Sequence, residues 1–178
     1  NETRLHDTLN TLHGSGHTGI AAELTSETDI DRLVEQAGVV NGVVHCAGIS
    51  RLAPLRMASQ AHIAEVWKTN YEAPIMLTQR LLAKNRVAAD GSILFMSSIA
   101  AFIGVAGVGV YSGSKAALIA TMRCLAMEVV KRRIRVNCLA PALVESPLLE
   151  ATEKMVLSIE TTKADYPLGF GKAEDVAN

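Results

Sequence analysis

The sequence has 178 residues, of which 49% are hydrophobic and 20% are charged, and its formal net charge is −1. This balance excludes a basic nucleic-acid-binding domain, and the interruption of every apolar stretch by glycine, asparagine or charge argues against a membrane span. We predict one globular domain over residues 1–178.

The chain alternates predicted helices with predicted strands. The strands are near-continuous apolar runs, which favours a parallel sheet covered on both faces. Strand–helix alternation of this kind predicts a doubly wound α/β fold with ligand sites at the carboxyl ends of the strands. The predicted helices are residues 2–12, 26–37 (capped by Ser26), 59–84 and 111–132, and the predicted strands are 19–24, 39–46, 92–98 and 134–139.

Both ends of the sequence fall inside helical patterns. Residue 1 already enters a helix, and residues 173–178 stop just as another helix begins. We therefore expect an N-terminal βα unit and the C-terminal end of the domain to be missing from this sequence.

The three cysteines and two neighbouring histidines predict no metal centre. Cys46, Cys124 and Cys138 lie in apolar stretches, and their odd number and spacing suit neither a disulfide framework nor a zinc site. His13 and His17 are separated by two glycines and have no acidic or cysteine partner nearby. We interpret the cysteines as buried thiols in a reducing compartment, the cytoplasm.

The run YSGSK from Tyr111 to Lys115 carries the strongest chemical signal. Residues four apart lie on the same helical face, so this spacing puts a phenol beside an ammonium group. A nearby cation lowers the pKa of a phenol, which makes Tyr111 a candidate proton donor and acceptor. Ser98 precedes the run at the end of a predicted strand, so the two hydroxyls should face one crevice.

Two glycine-rich runs resemble a phosphate-binding turn without its context. The first, Gly14 to Gly19, matches GxGxxG, but a helix precedes it and a strand follows, whereas a dinucleotide turn needs the reverse order. The second, Gly104 to Gly109, has the wrong glycine spacing and leads into Tyr111. We interpret the second run as a loop beside the substrate.

Six motifs, taken in order, resemble the single-domain type of the short-chain dehydrogenase/reductase family, near its 3-oxoacyl-carrier-protein reductase branch. The resemblance implies a Rossmann-like fold and reversible hydride transfer between NADP or NAD and a carbonyl or secondary alcohol. The motifs are residues 43–49 (VVHCAGI), 68–70 (KTN), 91–98 (GSILFMSS), 111–115 (YSGSK), 135–141 (RVNCLAP) and 167–177 (PLG followed by EDVA).

The resemblance also implies roles for four catalytic residues. Tyr111 would exchange a proton with the substrate oxygen, and Ser98 would hydrogen-bond the same oxygen. Lys115 would lower the pKa of Tyr111 and hold the ribose hydroxyls. Asn70 would support a water that resupplies the proton.

The implied cofactor-binding positions include three departures from the family pattern. Cys46 stands where the family has asparagine, Ala142 where it has glycine, and Glu23 where an aspartate commonly flanks the adenine. The residues that distinguish NAD from NADP, and the glycine-rich turn for the pyrophosphate, would precede residue 1. The implied positions are Glu23, Leu24, Cys46, Ala47, Gly48, Tyr111, Lys115, Pro141, Ala142, Val144 and Ser146.

Pro74 predicts a kink in the helix over residues 59–84. It has no N–H to donate to the carbonyl of Asn70, four residues earlier. In one interpretation the freed carbonyl accepts a water that connects it to Lys115; in the other, the kink merely lets the helix follow the sheet.

The sequence also leaves two alternative functions open and predicts that the chain associates with copies of itself. The chain could be a catalytically silent relative serving as a ligand sensor or scaffold, or a nucleotide-sugar epimerase or dehydratase using the same motif. The helices over 59–84 and 111–132 carry apolar residues on more than one stripe, which predicts a homodimer or homotetramer through them. The substrate, a small carbonyl compound or acyl thioester, is not specified by the segment 145–166.

Overall fold

The computed structural model describes residues 2–149 and 166–177, so most of the segment 145–166 lies outside the described residues. None of the helices in these two ranges combines the length and apolar character needed to span a bilayer. The helices and strands, in chain order, are α1 (Glu2–Thr11), α2 (Glu27–Ala37), β1 (Val40–His45), α3 (Gln60–Trp67), α4 (Ala73–Ala83), β2 (Val87–Met96), α5 (Gly109–Glu128), β3 (Arg135–Leu139) and α6 (Ala173–Ala177).

Within the described ranges the strands form one parallel sheet in the order β1-β2-β3. The register aligns His45 with Phe95 and Phe95 with Cys138, so the three strands end at the same edge. Helices connect successive strands, which confirms the predicted α/β fold with a parallel sheet.

The core lies between one face of the sheet and the helices α2, α4 and α5. Apolar residues at helical spacing on α2 and α5 meet alternate residues of β2 and β3 there. This packing fixes the strand ends relative to the first turn of α5. The buried core residues include Ile30, Val34, Leu81, Val87, Ile93, Phe95, Leu118, Leu125 and Val136.

The predicted strand over residues 19–24 is wrong, because this segment pairs with no strand in the described structure. Its backbone groups bond instead to side chains of α2. The Ala21 carbonyl accepts from Arg32 Nη2 at 2.7 Å, and the Glu23 amide donates to Asp29 Oδ2 at 2.7 Å. These two backbone groups are therefore paired without the segment joining the sheet.

The prediction that both sheet faces are covered is also wrong for the described residues. His45 and Val136 point into the core, but Val44 and Leu139 on the other face are 60% and 38% exposed. The cysteines differ from expectation in the same way. Cys46 and Cys124 are exposed and Cys138 is partly exposed, so they are not uniformly buried thiols.

The predicted helix over residues 59–84 is confirmed, with an irregular turn where Pro74 requires one. α3 and α4 are joined by a π-helical turn, Lys68–Glu72, in which the Ala73 amide donates to the Lys68 carbonyl five residues back. Pro74 lies at the start of α4 and cannot continue the regular ladder. The water link from the Asn70 carbonyl to Lys115 stays a prediction.

His45 is a buried histidine at the end of β1. Its Nε2 lies 2.8 Å from Thr78 Oγ1, its ring stacks on Phe95 with 4.8 Å between centroids, and burial lowers its pKa from 6.5 to about 4. Between these two values the unfolded chain binds a proton that the folded chain does not. Acidification through this window therefore destabilises the fold.

We expect this histidine to contribute a measurable acid sensitivity. The free energy of unfolding should fall by roughly 3 kcal/mol on acidification from neutral pH to about pH 4 because of His45 alone. Urea denaturation across that range should show a smaller fall in His45→Gln, which removes the titrating ring and keeps a polar side chain. An identical fall in the two proteins would contradict the assignment.

Candidate active site

Ser98 and Tyr111 meet at the carboxyl end of β2. Ser98 follows the strand and opens a short 3₁₀ turn, Ile99–Ala101, where its Oγ accepts from the Ala100 amide at 3.2 Å. Tyr111 lies in the first turn of α5, where the neighbouring Ser98 side chain acts to lower its pKa. Two hydroxyls that are far apart in the sequence thus form one polar pair.

The electrostatics of Tyr111 differ from the sequence expectation. Burial raises the pKa of Tyr111 above its ordinary value of 10, and the hydrogen bond from Ser98 opposes this only in part. The predicted lowering of this pKa by Lys115 stays a prediction, since burial dominates the shift here. The phenol is therefore held protonated at neutral pH.

Lys115 lies one turn along α5 with its amine buried beneath the pair. Its side chain is 6% exposed, and Nζ donates to the Met96 carbonyl at 2.8 Å and lies 5.8 Å from the centroid of the Tyr111 ring. Burial lowers the pKa of Lys115, while a negative charge on Cys138 or Cys46 acts in the opposite direction. The amine therefore faces the ring from a fixed anchor on β2.

Asn70 ties the segment after β1 to α5. It is 1% exposed, its Oδ1 accepts from the Ile49 amide at 2.8 Å, and its Nδ2 donates to the Ile49 carbonyl at 3.0 Å and to Ser114 Oγ at 3.3 Å. With all these groups paired, the asparagine holds the backbone after Gly48 in one position.

The backbone of Gly48 packs closely against the side chains of Asn70 and Lys115. A Cβ atom added there would lie 3.3 Å from Asn70 Oδ1 and 3.4 Å from Lys115 Nζ. Both distances are near or below ordinary van der Waals contact, so a side chain would press on both polar groups. The glycine therefore lets an exposed backbone approach the buried amine.

Two buried serines that the sequence analysis did not single out support these residues. Ser97 Oγ donates to the Lys115 carbonyl at 2.9 Å, and Ser114 Oγ donates to the Tyr111 carbonyl at 2.7 Å. Each lies next to a predicted catalytic residue in the sequence, Ser97 before Ser98 and Ser114 before Lys115. Only the fold shows that Ser97 joins β2 to α5 and that Ser114 joins Asn70 to α5. They set the position of the first turn of α5.

A cleft of about 220 Å³ opens beside this site at the end of β1. Of the expected cofactor-binding residues, Leu24, Cys46 and Ala47 line this cleft and Glu23 does not. The carboxylate of Glu23 turns instead onto Thr25, whose amide and hydroxyl lie at 3.0 and 2.7 Å and hold the pKa of Glu23 below its ordinary value. The other lining residues are Val44, His45, Ala73, Pro74 and Leu77.

The residues that follow β3 lie partly against this site. The Pro141 carbonyl accepts from the Ile99 amide at 2.9 Å, which joins it to the turn that carries Ser98. Ala142 is exposed. Val144 pairs with Gly171, and Ser146 Oγ donates to the Val144 carbonyl at 3.1 Å, which closes a local turn.

Comparison with known proteins identifies relatives of the whole described chain. Residues 1–156 match the family model described as short chain dehydrogenase. The chain is 32% identical over 182 residues to carbonyl reductase family member 4 of Danio rerio, covering 99% of this chain and 74% of that protein. It is 34% identical over 170 residues to the 3-oxoacyl-[acyl-carrier-protein] reductase of Bos taurus, covering 92% and 69% respectively.

Solved structures give the same grouping. A short-chain dehydrogenase/reductase from Brucella melitensis, described as a glucose/ribitol dehydrogenase, is similar with a TM-score of 0.86 and 26% identity, over 97% of this chain and 71% of that one. A short-chain dehydrogenase from Burkholderia cenocepacia, in complex with NADP, is similar with a TM-score of 0.78 and 26% identity, over 89% and 65%.

Proposed function

The chain belongs to the short-chain dehydrogenase family, and from that membership we propose that it interconverts a carbonyl compound and the corresponding secondary alcohol. It is an oxidoreductase that uses NAD or NADP. The observation that carries the proposal is the meeting of Ser98 and Tyr111 beside the buried amine of Lys115. When bound, the nicotinamide supplies or accepts the hydride.

In the proposed mechanism Ser98 and Tyr111 both bind the substrate oxygen. During reduction the Tyr111 hydroxyl donates its proton to the developing alkoxide, and Ser98 Oγ hydrogen-bonds the same oxygen as negative charge grows on it. The raised pKa of Tyr111 keeps this proton in place at neutral pH. During oxidation the two roles run in reverse.

Lys115 and Asn70 would assist Ser98 and Tyr111 without binding the substrate oxygen themselves. The Lys115 amine lies close enough to the Tyr111 ring to stabilise a phenolate after proton donation. Asn70 fixes the backbone at Gly48 and Ile49, and its own carbonyl would accept a water on the path by which Tyr111 regains its proton.

The residues beside the pair fit a dinucleotide. The cleft of about 220 Å³ is mainly apolar and has room for a flat ring, with Leu24 and Ala47 in its wall. The Lys115 amine, beside the backbone of Gly48, would hold the ribose hydroxyls. Val144 and Ser146 would meet the carboxamide, and Cys46, Pro141 and Ala142 would border the same cofactor. Glu23 would flank the adenine from outside the cleft.

For the substrate we propose a 3-oxoacyl thioester. Relatives with the name 3-oxoacyl-[acyl-carrier-protein] reductase, from cattle and from Thermotoga maritima, are 34% and 32% identical to this chain. The intact Ser98 and Tyr111 pair favours catalysis over a silent sensor or scaffold. No specific observation favours an epimerase or dehydratase.

A substrate panel tests the proposed function. The full-length enzyme would be mixed with NADH or NADPH and, in turn, a 3-oxoacyl thioester, a ketosteroid and a keto sugar, and cofactor oxidation would be followed by absorbance. We expect carbonyl-dependent oxidation, fastest with the thioester. Reduction of only the sugar would redirect the substrate assignment, and no turnover with any carbonyl would contradict the proposed activity.

We also propose a homodimer or homotetramer built through the helices over residues 59–84 and 111–132. Ile63 on α3 and Met127 on α5 are 38% and 75% exposed, which leaves apolar surface on both helices. Sedimentation at micromolar concentration should detect the oligomer, and Met127→Glu should weaken it more than Leu12→Glu near the end of α1. A monomeric wild-type protein under these conditions would contradict the proposal.

A further inference from the structure

The loop between Ser98 and Tyr111 exposes an unusual amount of apolar surface. Residues 99–110 include no polar side chain. Phe102, Ile103 and Val105 are 63%, 48% and 42% exposed. Surface loops ordinarily carry polar side chains, and contiguous apolar surface marks a binding site.

This loop is anchored at both ends on the reacting pair. The Ala101 amide donates to the Ser98 carbonyl at 3.0 Å, and the Ser112 amide, directly after Tyr111, donates to the Val108 carbonyl at 2.8 Å. The apolar side chains therefore begin within a few residues of the atoms that hold the substrate oxygen.

A second loop, which follows β1, extends the same surface. The Ala53 amide donates to the Gly107 carbonyl at 2.9 Å, and Gly107 adopts a φ of +82° where the two loops meet. Leu55 and Met57 on this second loop are 73% and 67% exposed. We call the combined surface the apolar rim, and it consists of Leu55, Met57, Phe102, Ile103 and Val105.

We propose that the apolar rim binds a linear hydrocarbon chain carried by the carbonyl substrate, and this inference rests on the proposed function. With the substrate oxygen between Ser98 and Tyr111, the rest of the molecule lies beside the loop anchored on this pair and the second loop bonded to it. Both loops meet it with apolar side chains, and Arg56 is the one charged residue in 52–58. A hydrocarbon chain loses contact with water on this surface, whereas a sugar would find Arg56 as the one charged side chain for its hydroxyls within 52–58.

A chain-length series tests the rim. The substrates are 3-oxoacyl N-acetylcysteamine thioesters with four, six, eight and ten carbons in the acyl chain, and the measured quantity is kcat/KM for each. For the wild-type enzyme we expect kcat/KM to rise by about two- to fourfold per added methylene until the rim is filled, because burying each methylene favours binding by a factor of that order.

The variant Leu55→Ser/Phe102→Ser should lower the ratio of kcat/KM between the ten-carbon and four-carbon substrates by about tenfold. The ratio divides out any general loss of activity. The control is Val39→Ser, which removes a side chain that is 61% exposed just before β1, at the opposite end of the sheet. This control should keep the wild-type ratio.

The outcomes separate this inference from the proposed function. A wild-type enzyme that reduces every thioester at the same kcat/KM would contradict the binding of a hydrocarbon chain to the apolar rim. It would leave the proposed function intact. An enzyme that reduces none of them overturns the proposed function first. A fall in sedimentation coefficient of the double variant, with an unchanged substrate ratio, would assign the rim to contact with a second copy of the chain instead.

Discussion

Replacing Tyr111 with phenylalanine should lower kcat by about 10³-fold and leave the fold unchanged. The substitution removes only the hydroxyl that donates the proton, and general acid catalysis by a positioned side chain contributes roughly 10² to 10⁴ in rate. The phenyl ring keeps the shape of the partly buried side chain, so no cavity forms. Steady-state reduction kinetics, with circular dichroism and thermal denaturation of the same sample, measure both parts.

The matched control is Tyr71→Phe. The Tyr71 hydroxyl lies 3.0 Å from Thr121 Oγ1, between the π-helical turn and α5, outside the Ser98 and Tyr111 pair. Removing it should cost about 1 kcal/mol of stability and leave kcat within about twofold of wild type. A Tyr111→Phe enzyme with near-wild-type kcat would exclude Tyr111 as the proton donor.

Replacing Lys115 with methionine should lower kcat/KM by about 10²-fold and weaken cofactor binding. Methionine keeps the length of the side chain and removes the amine that faces the Tyr111 ring and lies beside Gly48. A phenolate formed after proton donation then loses its buried positive neighbour, which is worth a few kcal/mol in a desolvated site. Kinetics and isothermal titration with the cofactor measure the two effects.

Stability should respond much less than activity to this substitution. The buried amine disfavours its own charge, as its lowered pKa indicates, so its removal relieves a desolvation penalty. It also leaves the Met96 carbonyl without its donor at 2.8 Å, which costs about 1–3 kcal/mol. The control is Lys131→Met, an exposed lysine outside the site. Unchanged kinetics in Lys115→Met would remove the lysine from the mechanism.

Much of the site follows from the sequence because its geometry is local or lies at the ends of strands. The spacing of Tyr111 and Lys115 requires only a helix, and the position of Ser98 after β2 requires only a parallel sheet whose strands end together. Pro74 predicted an irregular helix from the loss of one amide donor, and the π-helical turn is the form that this irregularity takes.

The remaining features depend on packing that a pattern in one segment does not contain. The apolar run over 19–24 has the composition of a strand, but side chains of α2 bond its backbone instead. The pKa of Tyr111 rises because burial outweighs every favourable contact of the phenolate, and burial is a property of the assembled fold. Ser97 and Ser114 are small polar residues of ordinary appearance until β2 and α5 meet.

The most direct test of the account is a crystal structure of the full-length enzyme with oxidised cofactor and an unreactive analogue of the 3-oxoacyl substrate. The quantity to measure is the distance from the analogue's carbonyl oxygen to Ser98 Oγ and to the Tyr111 hydroxyl. The account predicts both at roughly 2.6–3.2 Å, the range of a hydrogen bond. A carbonyl oxygen bound away from both hydroxyls, with the cofactor in place, would contradict the assignment of this pair as the proton-donating site.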